Sequence, residues 1–455
     1  MQLFINRLHF YVYAPLLFLF VNAARLVTLH GTSEKTYFQA DYAIPLLLAA
    51  MLKRLHVPRP VSILLILISV FFVIVNDALF VFARRFRWDL YTLPQYLISF
   101  RELPWTAIWP VSIALMFCIL FLSATMLFSY LRTYSVISLI SVVIALQIAD
   151  MRFGTSHFRD STSGIDIITS SSLVTIPVYI GYLEGGASLS QYDGESLFSY
   201  VASNPENTSV LSVSVESLGL ARSASDMVAL TFAIPHKLGD HYEIDQHHHK
   251  FFGSTLQGEI RELCGQRLIG NASEKAIIRR LHRCLPKMLQ ANGYVTDALH
   301  GNGGRFYNRR TIYPAMGFQR SWFYDDIVAA DRSAGPCPKT AFNAVCDDRL
   351  YARALSLFDG NKRFVHVMTL DSHLPVPDAD GLTCPRVFLD DKPLCAYANL
   401  ISRSLDELGS AITAAPHKPD LIFIYGDHAP PFSKSTTRAR FADDEVPFFI
   451  LKRKR

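Results

Sequence analysis

The chain has 455 residues, half of them hydrophobic, and a formal net charge of +5. That length supports two or three folded units. The modest charge, with no basic stripe interleaved with aromatics, argues against a nucleic-acid partner. The mean hydropathy of +0.22 is unevenly distributed, with the apolar excess in the first third, as in a membrane anchor ahead of a soluble domain.

Five apolar runs are expected to cross a bilayer: Phe10–Val27, Tyr37–Leu55, Val61–Phe82, Trp105–Leu131 and Tyr134–Ile148. Each strong run approaches the ~20 residues that a hydrocarbon core requires. The second carries Asp41 and Pro45, and the fifth is short. Between the third and fourth, Leu90–Phe100 reads as an interfacial helix, with Arg84, Arg85 and Arg87 ahead of it. The basic residues of the loops do not agree on one topology. Cysteine usage decides the side instead. Cys118 sits in an apolar run, whereas Cys264, Cys284, Cys337, Cys346, Cys384 and Cys395 are an even set in the polar part. Short closed loops pair them as Cys264–Cys284, Cys337–Cys346 and Cys384–Cys395, which implies an oxidising compartment. The anchor is therefore expected at residues 1–150, with the C-terminal domain on the outer side of the membrane.

Residues 151–207 are polar, Ser/Gly-rich and dotted with tyrosines, and read as a connecting segment along the membrane surface. From 208 to 455 the chain alternates strand-like and helix-like runs. Ser209–Val215, Arg363–Leu370 and Leu421–Tyr425 are strand-like, as is the short run before His300. Lys275–Leu285, stopped by Pro286, and Tyr397–Ala414 are helix-like. That alternation predicts an α/β domain with a mainly parallel sheet between helices. The tail from Leu451 to Arg455 reads as a cationic end, either solvated or in contact with anionic lipid.

The residues that carry chemistry cluster at the ends of these runs. Asp427 and His428 follow the buried strand Leu421–Tyr425 and Gly426, where open α/β sheets bind ligands. A carboxylate beside an imidazole suits Zn or Mn. Glu216 ends Ser209–Val215 in the same way, so two acids on neighbouring strands can share a cation. Ser254 and Thr255 lie between Gly253 and Gly258 at a helix start, where a hydroxyl either caps the helix or, beside a metal, becomes a nucleophile. His300, Asn302 and Arg309, with Tyr307 beside them, share one loop region that either offers donors to phosphoryl oxygens or is a plain polar surface loop. His373 stands past another strand, placed for general acid work. The run His247-His248-His249 matches no ligand spacing.

In order, Val-Glu216-Ser, Gly-Ser-Thr255-Leu-Gln-Gly-Glu, His300-Gly-Asn302 with Phe-Tyr307-Asn-Arg309, Asp-Ser-His373-Leu-Pro and Tyr-Gly-Asp427-His428 resemble the sulfatase and alkaline phosphatase superfamily. Within it they look most like the branch of lipoteichoic acid synthases and phosphoglycerol transferases, over roughly residues 209–450. The resemblance implies a metal site of Glu216, Thr255, Asp427 and His428, holding Mn or Zn, with Mg also compatible. It implies Thr255 as nucleophile, and His300, Arg309 and His373 as contacts to the substrate phosphate, with Asn302 and Tyr307 beside them. Tyr307 stands where many members have Trp, and the segment with Arg222 and Asp226 also departs from close relatives. The implied activity is transfer of a phosphoglycerol-type headgroup from a phospholipid to an envelope glycan or lipid acceptor. It would proceed through a phospho-threonine at a bacterial inner membrane, with the catalytic domain on the periplasmic or outer side. The alternatives are a phosphoethanolamine transferase acting on lipid A or glycan, and a sulfatase-like hydrolase or phosphodiesterase. A sulfatase would carry a Cys/Ser-x-Pro-x-Arg motif, and none stands near residue 255. A non-enzymatic sensor would not need all four candidate ligands.

Overall fold

The computed structural model describes residues 15–16, 18–23, 25, 38–85, 137–145, 169–170, 188–203, 209–253, 255–269, 277–281, 283–340, 342–374, 384–432 and 435–454. They fall into two compact units, the second of which takes in the described residues from 188 onward.

In the first unit, helices α1 (Ala43–Arg54) and α2 (Arg59–Arg85) pack together, and the two-residue strands β1 (Phe38–Gln39) and β2 (Thr169–Ser170) pair in parallel. Among the described residues only α2 is long and apolar enough to cross a membrane, over Arg59–Asp77 with a mean hydropathy of 2.3. Its exposed side chains include Leu64, Phe71 and Phe72, a surface that water would not favour. The expected second span is met by α1, whose 12 residues rise only about 18 Å, less than a hydrocarbon core. Residues 18–23 and 137–145, from the expected first and fifth spans, are helical. The fourth span and the interfacial segment 90–100 lie outside the described residues, so a five-span bundle is not established. Polar side chains are buried in pairs here. Arg25 forks onto Asp77 at 2.6 and 2.8 Å, Tyr42 donates to Asp77 at 2.7 Å, and Asn76 donates to Asp41 at 3.0 Å.

The second unit is built on a seven-stranded sheet. In chain order its strands are β4 (Val210–Val215), β5 (Tyr242–Lys250), β7 (Val295–His300), β8 (Arg320–Trp322), β9 (Arg363–Met368), β10 (Leu421–Gly426) and β11 (Glu445–Arg453). Their spatial order is β5-β11-β10-β4-β9-β7-β8. The five strands from β10 to β8 are parallel, and β11 and β5 extend the sheet antiparallel at one edge. β4 and β9 are buried along their whole length, as strands covered on both faces must be. Alternate residues face two cores. Val213, Val215, Val365, Val367 and Ile424 meet helices α4 (Ala224–Thr231), α5 (Ala233–Leu238), α9 (Asp347–Leu355) and α10 (Lys392–Ala414). On the opposite face, Val210, Phe364, Phe423 and Phe448 meet α3 (Leu197–Ser203), α6 (Thr255–Cys264), α7 (Leu285–Ala291) and α8 (Arg309–Met316).

The expected disulfides Cys264–Cys284, Cys337–Cys346 and Cys384–Cys395 are all formed, with Cα separations of 4.0, 4.8 and 5.4 Å. Several local expectations are corrected. Residues 188–203, placed in the connecting segment, form β3 (Ser188–Gln191) and α3, and β3 pairs with β6 (Gln266–Ile269). Pro286 does not stop a helix: it opens α7, at the first turn, where its missing N–H costs nothing. Leu451–Arg453 are not a loose tail but the end of β11, with Leu451 fully buried.

Gly426 closes β10 because the backbone of the neighbouring turn occupies the space of a side chain. A Cβ there would sit 1.8 Å from the Leu218 carbonyl oxygen. Gly426→Ala is therefore expected to lower stability by about 1–3 kcal/mol through overpacking. Urea denaturation of the purified protein would measure the loss, and an unchanged midpoint would refute it.

Candidate metal centre and active site

Four adjacent parallel strands deliver the candidate residues to one end of the sheet. Glu216 follows β4, Asp427 and His428 follow β10, His300 ends β7, and His373 follows β9 after a short turn. That turn is stitched to the acid. Ser372 Oγ donates to the Glu216 carbonyl at 2.6 Å, and Glu216 N–H donates to Thr369 Oγ1 at 2.9 Å. Ser217, at φ +60°, then folds back so that its N–H donates to Asp427 Oδ1 at 2.7 Å and its hydroxyl to Glu216 Oε1 at 2.8 Å. Tyr307 and Asn308, at φ +53° and +50°, are similarly strained in the loop that opens α8. Such strain persists only where surrounding contacts over-determine the backbone.

Glu216, Asp427 and His428 converge, each offering one ligand atom within 4.8 Å of the others, and all three are buried. His428 Nε2 lies 3.4 Å from Glu216 Oε1 and 3.4 Å from Asp427 Oδ2. The imidazole Nδ1–H is given to the Ala429 carbonyl at 3.0 Å, which leaves Nε2 as the ring atom aimed at the two carboxylates. Among the described residues, nothing donates a hydrogen bond to Asp427 Oδ2. The electrostatics carry the same message. Burial, reinforced by the Glu216 charge, pushes the Asp427 carboxyl up to about 7. Against the opposing effect of burial, Asp427 and Glu216 raise the His428 imidazole to about 9. Burial also works against ionised Glu216, yet His373 and His428 hold its carboxyl well below the usual range. A buried set of two oxygens and one nitrogen that needs positive charge fits a divalent cation.

Thr255 is the first residue of α6, buried, with its hydroxyl donating to Glu216 Oε2 at 3.3 Å. Gly253, at φ +136°, turns the chain from β5 into this helix. Gly258 lets the helix lie against the loop after β10, since a Cβ there would meet Asp427 Cα at 3.0 Å. Ser254 lies outside the described residues.

The other candidates take definite positions. His373 donates Nδ1–H to the Leu374 carbonyl at 2.6 Å, packs edge-on against Phe342, and points Nε2 toward Glu216 Oε1 at 4.0 Å. His300 is buried, with Nδ1 3.2 Å from the Met368 carbonyl and Nε2 3.4 Å from Arg309 NH1. Burial and the Arg309 charge lower its pKa to about 3, which keeps the ring neutral. Arg309 lies over the Tyr307 ring at 4.9 Å, and its Nε–NH2 edge is committed to Glu259 at 3.2 and 2.9 Å. Asn302 uses its side-chain oxygen on Gly303 N–H at 2.6 Å. Arg222 and Asp226 serve the fold: Arg222 reaches Asp443 at 2.8 Å and Asp226 takes the Arg440 fork. In the histidine run, His249 alone is buried, 3.2 Å from Glu262, while His247 and His248 lie exposed on edge strand β5.

Sequence reasoning gave Glu259 no role beyond a place in a helix. It is fully buried, and against the cost of burial Arg309 and His366 hold its carboxyl down to about 2. The available signal was its spacing, one helical turn after Thr255.

Asp427→Asn removes a charge from the donor set while keeping its shape. It is expected to weaken Mn binding by at least about a hundredfold in calorimetry, as loss of a buried charged ligand should. Unchanged Mn affinity would remove Asp427 from the site.

The sulfatase family model matches residues 244–454, a range that holds Thr255, Asp427 and His428 and leaves Glu216 just outside. Lipoteichoic acid synthase of Staphylococcus aureus (strain USA300) is 26% identical over 156 residues, which are 32% of this chain and 23% of that protein. Among solved structures, the lipoteichoic acid synthase LtaP from Listeria monocytogenes aligns at a TM-score of 0.42 and 18% identity, covering 58% of this chain and 69% of its own. The Streptococcus pyogenes phosphoglycerol transferase GacH, in complex with sn-glycerol-1-phosphate, aligns at 0.41 and 16%, covering 58% and 77%. Residues 244–454 thus match the sulfatase family, and lipoteichoic acid synthases are among the proteins to which this chain is similar.

Proposed function

We propose that this chain is a membrane-anchored, metal-dependent phosphotransferase that moves a phosphoglycerol-type headgroup from a phospholipid to an envelope glycan. Its catalytic domain would lie on the outer side of a bacterial inner membrane. The observation that carries this reading is the convergence of Glu216, Asp427 and His428 beside the Thr255 hydroxyl at a helix start. Three disulfides support the oxidising side, and the apolar surface of α2 supports the anchor.

Glu216, Asp427, His428 and Thr255 would hold the cation, Mn or Zn. When bound, it would favour the ionised hydroxyl and offset the negative charge of the phosphodiester. The chain's own residues do the rest. Thr255 Oγ1 attacks phosphorus, the bond to the diacylglycerol oxygen breaks, and His373 Nε2 supplies the proton that oxygen takes up. Arg309 NH1, His300 and Asn302 line the approach, and Tyr307 backs the guanidinium. An acceptor hydroxyl then displaces the phosphoryl group from Thr255, returning its proton to His373. The α6 N-terminus adds a field that favours the developing negative charge. The membrane anchor keeps this site at the headgroup plane, where donor is concentrated.

Thr255→Ala should fold and bind Mn yet release no headgroup from labelled phosphatidylglycerol, while Thr255→Ser should keep part of the activity. Were Thr255 only a helix cap, its loss would cost about 0.5–2 kcal/mol of stability and turnover would survive. Mass spectrometry of trapped wild-type protein should show an adduct on Thr255. A glycerol-phosphate mass supports the reading, and an ethanolamine-phosphate mass would replace it with phosphoethanolamine transfer. Full turnover in Thr255→Ala would end the covalent mechanism.

A further inference from the structure

Glu259 stands one turn after Thr255 on α6 with its carboxylate wholly enclosed by the chain's own groups. Arg309 donates from Nε at 3.2 Å and from NH2 at 2.9 Å, the Tyr313 hydroxyl donates to Oε1, and His366 Nε2 lies 3.6 Å from Oε1. No oxygen is left to bind a ligand. A buried acid without a ligand still has a consequence, because it decides where its partner's charge points. The remaining NH1 of Arg309 faces His300 Nε2 at 3.4 Å. A carbonyl can only accept, so the Met368 oxygen takes the Nδ1–H of His300, and Nε2 is the acceptor for Arg309. One unbroken chain of contacts therefore runs from the helix that begins with Thr255, through Glu259 and Arg309, to the imidazole at the end of β7.

We propose that Glu259 is a positioning residue: it holds Arg309, and through it the His300 ring, in fixed register with the Thr255 hydroxyl. The nucleophile and the Arg309 guanidinium, whose second NH1 hydrogen is left to receive the phosphate, are then aligned by one helix. The proposal rests on the roles given above to Thr255, His300 and Arg309.

Two measurements on the purified full-length protein test it: KM and kcat for headgroup release, and binding of inorganic phosphate to the Mn-loaded protein. Glu259→Asp keeps the charge but withdraws the carboxylate by one methylene. It is expected to raise KM and weaken phosphate binding about tenfold, with kcat changed less and Mn affinity kept. Glu259→Gln strands the Arg309 charge and can fail to fold. The neutral pair Glu259→Gln with Arg309→Gln avoids that, and should bind phosphate no worse than Arg309→Gln alone, since both changes break one linkage. Wild-type KM and phosphate affinity in Glu259→Asp would overturn the proposal. So would a double variant whose loss is well beyond that of Arg309→Gln alone, which would mark Glu259 as a general prop of the fold. If the wild type released no headgroup, the transferase reading would fall, and the phosphate measurements would still decide the role of Glu259.

Discussion

Two buried carboxylates facing one imidazole nitrogen need a positive charge among them, which a proton on His428 or a bound cation supplies. Glu216, Asp427 and His428 are held together by short hydrogen bonds: Ser217 N–H and His428 N–H both point at Asp427 Oδ1, and Ser217 Oγ at Glu216 Oε1. The loops after β4 and β10 are thus built around two acids whose charge a protonated His428 or a cation must offset. The close approach of Gly258 to the Asp427 backbone, and the strained φ of Ser217, are both consequences of closing the chain around that point.

Helix α6 is the second element shaped by buried charge. Every residue from Thr255 to Cys264 is buried, including Glu259, Arg261 and Glu262. Each charge reaches a different part of the unit. Glu259 takes Arg309, Arg261 donates to the Gly426 carbonyl at 3.1 Å, and Glu262 receives Leu197 N–H at 2.8 Å and faces His249. Leu256, Ile260 and Leu263 supply the apolar packing of the same helix. A helix fixed from so many directions can present its first hydroxyl with little freedom, as the role proposed for Thr255 requires.

The first unit follows a different rule. In an apolar surround, Arg25, Asp77 and Tyr42 are stable only as a mutually satisfied set, and Asn76 with Asp41 likewise. These contacts join residues of three expected spans, so polar groups act there as fasteners between helices whose outer faces are apolar.

The sequence alone determined what is local. Leu421–Tyr425 and Ser209–Val215 are legible as strands because their apolar runs are unbroken, and Glu216, Asp427 and His428 stand out because polar groups end such runs. The three cysteine pairs are legible because each closes a short loop. Thr255 is marked as a helix start by the glycines around it. Tertiary structure decided which ends meet. Asp427 lies 210 residues from Ser217, and only the pairing of β4 with β10 brings them within 2.7 Å. Periodicity does not encode which strand lies beside which. It also reads an acid on a helix as solvent-facing by default, so Glu259 looked like an ordinary helical residue until Arg309, 50 residues away, was placed against it. The same limit hid β5, whose three histidines and two acids mask a strand defined by its pairing with β11 rather than by its own hydrophobicity.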